Sequence, residues 1–152
     1  MQQALFQLIV QFVTNVHQAS NDLSRAVQLE DVTPVQYKIL EFIKVGQPVT
    51  LSQISDCLQM SMPNTSRELR KLSEKDLCGK ASDAEDRRKQ WIRLTTKGEA
   101  MMNHAFACME ASFEDRIREL SDAELGEVVS AIELLQAKVF GPNSANSDNS
   151  RQ

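Results

Sequence analysis

Apolar residues fall along this chain at helical spacing, interrupted once by a short alternating stretch. From Ala4 to about Val27, Leu5, Ile9, Phe12, Val16 and Leu23 form one stripe with Leu8 and Val13 beside it, which predicts a long amphipathic helix. His17 sits near that stripe and is expected to be a hydrogen-bonded histidine at the edge of a core. Thr33-Pro34-Val35-Gln36 combines an N-cap, a proline at the first helical position and a capping-box glutamine. The helix it opens carries Tyr37, Leu40 and Ile43, flanked by Ile39 and Phe42, and is stopped by Gly46 and Pro48. Thr50-Leu51-Ser52-Gln53 is a second capping box, starting a short helix that buries Leu51, Ile54 and Leu58, with Cys57 as a small buried hydrophobe. Ser61 caps the next helix, with Met62, Leu69 and Leu72 inward and Thr65 near their edge.

The alternating stretch follows. Leu77 to Ala81 and Trp91 to Leu94 are expected strands, Ile92 and Leu94 on one side and Trp91 and Arg93 on the other, joined by a loop from Ser82 to Gln90. Two short helices, a tight turn and a hairpin with a charged tip spell a winged helix-turn-helix. Helical spacing then resumes. Thr96-Lys97-Gly98-Glu99 is expected to be a capping box for a helix to about Leu120, carrying Met102, Ala105, Phe106, Met109, Phe113 and Ile117. Ser121-Asp122-Ala123-Glu124 caps a last helix with Leu125, Val128, Val129, Ile132, Leu135 and Val139 on one face.

The fold class expected is therefore mainly α with a small β-hairpin wing. Residues 1–30 form an N-terminal dimerisation helix, 31–98 the DNA-binding lobe, 99–140 the C-terminal dimerisation helices and 141–152 a polar, disordered tail. The long stripes at both ends exceed what one small lobe can cover, which points to a second copy of the chain.

Composition narrows the function. At 152 residues and 41% hydrophobic content the chain is of single-domain size, and no apolar run approaches the length of a membrane span. The N-terminal apolar stretch has no preceding cation, so no signal peptide is expected. Three scattered cysteines, Cys57, Cys78 and Cys108, suit a reducing cytoplasm. The net charge is −4, but ten basic and six acidic residues between Ser61 and Gly98 give that stretch +4 and leave the remainder at −8. A basic island in an acidic body is the footprint of a duplex-binding face.

On the Ser61 helix, Ser61, Pro63, Asn64, Ser66, Arg67, Arg70 and Lys71 are expected to point outward. Short hydrogen-bonding side chains near a helix N-terminus can reach base edges in a major groove, while Arg70 and Lys71 hold phosphates. Arg87, Arg88 and Lys89 at the hairpin tip suit a narrow minor groove, with Asp86 pairing with an arginine and aiming it. His104 and Cys108, four apart on one helix, are candidate metal ligands, but no further His/Cys cluster completes the set and His17 would have to approach in space. No phosphate loop or nucleophile-base pair suggests an enzyme, and no cofactor is expected.

These residues give the chain a family likeness. Asp83-Ala84-Glu85-Asp86-Arg87-Arg88-Lys89, followed by Leu94-Thr95-Thr96-Lys97-Gly98, resembles the wing signature of the MarR family of bacterial transcriptional regulators. Thr65-Ser66-Arg67 and Leu72-Ser73-Glu74-Lys75-Asp76-Leu77 support the likeness, as does the order of helices to about Phe140. The resemblance implies a cytoplasmic homodimeric repressor of an inverted-repeat operator, released by a small-molecule ligand bound between the dimer helices and the DNA-binding lobe. It also implies that Arg88 is the minor-groove arginine and Asp86 its partner. The chain departs from the family pattern at Asp76, where glycine is common, and at Cys78, where a β-branched residue is common; aspartate tolerates the left-handed backbone such a glycine supplies. Alternatives are a metal- or thiol-responsive regulator of the same fold, or a protein-interaction module that has lost DNA binding.

Overall fold

The computed structural model describes residues 1–27, 29–82, 85, 86, 88 and 90–141. The elements are α1 (Gln2–Arg25), α2 (Pro34–Gly46), α3 (Leu51–Leu58), α4 (Met62–Glu74), β1 (Cys78–Ser82), β2 (Gln90–Leu94), α5 (Thr96–Ile117) and α6 (Asp122–Leu135), the last followed by a π-helical turn (Gln136–Phe140). Of the tail expected over residues 141–152, all but Gly141 lies outside the described residues. The chain divides into two compact units, Met1–Phe113 and Glu114–Gln152.

In the first unit the core is built where the sequence concentrates apolar positions. Ile39, Leu40 and Ile43 of α2 meet Ile54 of α3, Leu69 and Leu72 of α4, Val49, Leu77 and Ile92, and Met102 and Ala105 of α5, all fully or nearly fully buried. Thr33 and Thr50 make the expected reciprocal capping boxes with Gln36 and Gln53, so α2 and α3 start where their hydroxyls satisfy open N–H groups. Asp76, after α4, has φ 58°, the left-handed conformation that turns the chain into the wing.

The wing is an antiparallel pair in which Cys78 faces Leu94, Lys80 faces Ile92 and Ser82 faces Gln90. Its outer edge is held at the base. Val49 exchanges both backbone bonds with Ile92, at 3.1 and 2.7 Å, and Gln47 Oε1 accepts the Leu94 N–H at 2.9 Å. The amide of Gln47 donates to Glu99, whose Oε2 lies 2.5 Å from Lys44 Nζ. Hydrogen bonds from Lys44 and Gln47 hold the Glu99 carboxyl below the usual carboxylate range.

Several local expectations are corrected. The cap of α5 is Thr95, whose Oγ1 accepts the Gly98 N–H at 3.0 Å, because the Glu99 side chain is drawn to Lys44 and Gln47 instead of back to Thr96. Met62 is 46% exposed although it shares a face with Leu69, since it is the first residue of α4, about two turns before Leu69. Thr65 is fully buried. Cys57 is exposed, on the outer side of α3. His17 is exposed on α1.

No residue of α1 is buried, and Leu5, Phe6, Leu8, Val10, Phe12 and Val16 are all exposed. In the second unit α6 starts at a Ser121–Glu124 capping box and leaves Val128, Val129, Ile132 and Leu134 in solvent, and the π-helical turn leaves Val139 and Phe140 there. Among the described residues no helix is long and apolar enough to cross a membrane.

Candidate nucleic-acid interface

The geometry of α4 begins at its cap. Ser61 Oγ accepts the Asn64 N–H at 3.3 Å, and Pro63 in the first turn loses no helical hydrogen bond there. Leu69 and Leu72 fix one face in the core, and the buried Thr65 fixes the helix's rotation. Thr65 Oγ1 donates to the Ser61 carbonyl at 3.0 Å and stands 2.9 Å from Ser55 Oγ on α3. A buried hydroxyl pair of this kind locks two helices in one register, because rotating either would strand both groups.

Ser61, Pro63, Asn64, Ser66, Arg67, Arg70 and Lys71 all lie exposed on the remaining face. Two of its cations are partly engaged. Arg70 Nε is 3.8 Å from Glu74 Oε1 with both side chains mostly exposed, and Lys71 Nζ is 3.0 Å from Glu68 Oε1. The Arg70 pair, exposed on both sides, holds loosely and can be exchanged for a phosphate, whereas the Glu68 side of the Lys71 pair is only 19% exposed.

Glu68 also ties α4 to the start of α2. Gln36, 2% exposed, donates from Nε2 to Glu68 Oε2 at 3.0 Å. Lys75, at the end of α4, donates to Gln36 Oε1 at 3.2 Å and to the Asp31 carbonyl. Bonds from Gln36 and then Lys71 hold the Glu68 carboxyl below its ordinary range.

Between α4 and the wing lies a cleft of about 670 Å3 lined by Pro63, Ser66, Arg67, Arg70, Gly79 and Lys80, with Leu69, Ser73, Cys78 and Ile92 beneath. Lys80 is absent from the expected site residues. Its charge is visible in the sequence, but the strand register that turns it toward Arg67 and Arg70 is not.

At the wing tip, Asp86 Oδ1 accepts the Arg88 N–H at 3.0 Å and lies 3.7 Å from Arg88 Nε, while the Arg88 side chain is 95% exposed. An aspartate bonding the backbone two residues on is an Asx turn, which shapes the tip as well as neutralising it. Arg87 and Lys89 lie outside the described residues. Replacing Asp86 with alanine should therefore weaken duplex binding although it removes a negative charge, by about 0.5–1.5 kcal/mol if one such bond orients Arg88. Fluorescence anisotropy on one duplex at fixed salt checks this, and tighter binding would count against an orienting role.

The sensor candidates are spread out. His104 Nε2 and Cys108 Sγ are 3.9 Å apart on α5, and no group of three or more His, Cys, Asp or Glu able to hold a metal occurs among the described residues. Burial pushes the Cys78 thiol up to about 11, which makes it a poor nucleophile.

A helix-turn-helix with a bare polar and cationic helix face, beside a hairpin ending in arginine, defines a winged-helix DNA-binding protein. Residues 8–98 match the family model of the winged helix DNA-binding domain, and the chain belongs to that family as a DNA-binding transcriptional regulator of the MarR type. It is 25% identical over 116 residues to the HTH-type transcriptional regulator MhqR of Bacillus subtilis, covering 74% of this chain and 79% of that one. A MarR family protein from Bacillus stearothermophilus shares the fold with a TM-score of 0.75 at 14% identity, over 93% of this chain and 99% of that one. A mutant of S. aureus MepR bound to an oligodeoxyribonucleotide is similar in fold at a TM-score of 0.55 and 22% identity, over 86% and 96% of the two chains. The relative in Bacillus subtilis is a regulator, not an enzyme.

Proposed function

We propose that this protein is a homodimeric cytoplasmic repressor that grips an inverted-repeat operator and lets go when a small molecule binds. The observation that carries it is the exposed face of α4 next to the Arg88 wing, on a chain whose terminal helices leave their apolar residues uncovered. Pairing α1 and α6 with those of a second copy removes that apolar surface from water. Twofold symmetry would set two α4 helices about 34 Å apart, one turn of duplex, so that both enter adjacent major grooves. Ser61, Pro63, Asn64, Ser66 and Arg67 then meet bases and phosphates, Arg70 and Lys71 meet backbone, and Arg87, Arg88 and Lys89 serve the minor groove.

Release by ligand has a physical route. The segment from α1 to α2 borders a cavity through Val32 and Thr33, and the capping-box partner of Thr33 is the Gln36 that bonds to Glu68 and Lys75. A ligand that favours one arrangement of that segment therefore biases the position of α4.

Purified protein incubated with genomic fragments, washed with rising salt and sequenced, should retain a short inverted repeat with a steep salt dependence. Enrichment of half-sites without twofold symmetry would rule out the dimeric arrangement.

A further inference from the structure

A cavity of about 600 Å3 opens between the last turns of α1, the segment that follows it and the first turns of α2, a volume typical of small-molecule sites. Val27, Leu29, Val32 and Pro34 supply apolar wall, and Tyr37 and Glu41, one turn apart on α2, complete it. Glu41 Oε2 is buried without a hydrogen-bond partner, the only side-chain nitrogen or oxygen in that condition among the described residues. A carboxylate left this way wants a cationic donor.

Its neighbours do not supply one. Burial, then the charge of Glu41 and a hydrogen bond to its carboxyl, push the Tyr37 phenol up to about 12, so it stays neutral and brings Glu41 no compensating charge, with its hydroxyl 3.1 Å from Met109 Sδ. Arg25, 79% exposed, turns to Asp22 at 3.8 Å, and Lys38 is exposed at the cavity's edge. Both are solvated charges, screened from a group bound inside.

We propose that this cavity binds a protonated organic amine carrying an apolar ring, its ammonium group compensating the Glu41 carboxylate and its ring lying against Val27, Val32 and Tyr37. The terminal torsion of a glutamate is broad, so a small turn of the carboxyl presents its unpaired oxygen to the ligand. The proposal names the ligand class of the regulator proposed above and rests on its ligand-release half.

Three probes sharing one ring test it by calorimetry on the full chain without DNA: 1-naphthylmethylamine, the neutral 1-naphthylmethanol and the anionic 1-naphthylacetate. The amine should bind at least about tenfold more tightly than either of the others, and Glu41→Gln should erase that preference while leaving the thermal midpoint in place. Acetate binding as tight as the amine's, no amine binding at millimolar concentration, or a preference that survives Glu41→Gln overturns the proposal; the first two need no variant. The same probes are then added to the complex with the recovered inverted repeat. If the amine binds through Glu41 and the DNA stays bound, the amine site stands and ligand release falls. If the acetate alone releases the DNA, ligand release stands and the amine proposal falls.

Discussion

Gly98→Ala is expected to destabilise the protein by about 3 kcal/mol, near the upper end of what overpacking a core costs. A β-carbon at position 98 would stand 1.9 Å from the Leu77 carbonyl oxygen and 2.9 Å from its carbon. Neither atom can yield cheaply. Leu77 is 1% exposed in the core, and its carbonyl already accepts the Thr95 N–H at 3.1 Å, the bond that joins the start of α5 to the base of the wing. Making room means pulling α5 away from that bond or lifting Leu77 out of the core. Helix propensity alone predicts the opposite sign, since alanine is favoured over glycine by about 1 kcal/mol in a helix. Thermal unfolding should show a midpoint lowered by roughly 10 °C for a chain of this size. Gly126→Ala is the control. Nothing lies within 4 Å of a β-carbon there, so propensity should win and the midpoint should hold or rise slightly. An unchanged midpoint for Gly98→Ala would mean that α5 does not approach Leu77 this closely.

Arg88→Ala should leave folding unchanged and weaken operator binding by about 1–3 kcal/mol. The side chain is 95% exposed and only loosely paired with Asp86, so its removal takes nothing from the core. In a complex the same exposure lets the guanidinium enter a minor groove, where the potential is most negative if the groove is narrow. The loss should therefore be largest on operators with A·T-rich flanks, and the salt dependence should become shallower by about one counterion. Arg70→Ala makes the contrast, because a phosphate contact in the major groove should weaken all duplexes alike. Titrations over a salt series give both slopes, and an Arg88→Ala affinity equal to wild type would remove Arg88 from the interface.

Much of this architecture is legible in the residues because local chemistry sets it. The boxes at Thr33, Thr50 and Ser121 place three helix starts, and the spacing of Leu69 and Leu72 orients α4. Asp76 adopts the left-handed backbone its side chain tolerates. What went unread depends on neighbours distant in sequence. Thr65 looks like an edge residue until Ser55 on α3 is brought against it, and Thr96-Lys97-Gly98-Glu99 looks like a capping box until Lys44 and Gln47 claim the glutamate. Cys57, of apolar character, faces solvent because Leu51, Ile54 and Leu58 make the face of α3 that packs on the core.

By itself, then, the sequence determined the helices, the hairpin, the basic face of α4 and the charged wing, since periodicity, caps and charge act over a few residues. Only the tertiary structure decided that Gly98 must be glycine, that Lys80 shares a cleft with Arg67 and Arg70, that Gln36 ties the start of α2 to α4, and that one oxygen of the partly buried Glu41 is left unpaired beside a cavity. Each of these is a contact between residues far apart along the chain, fixed by how the helices pack and not by any pattern within them.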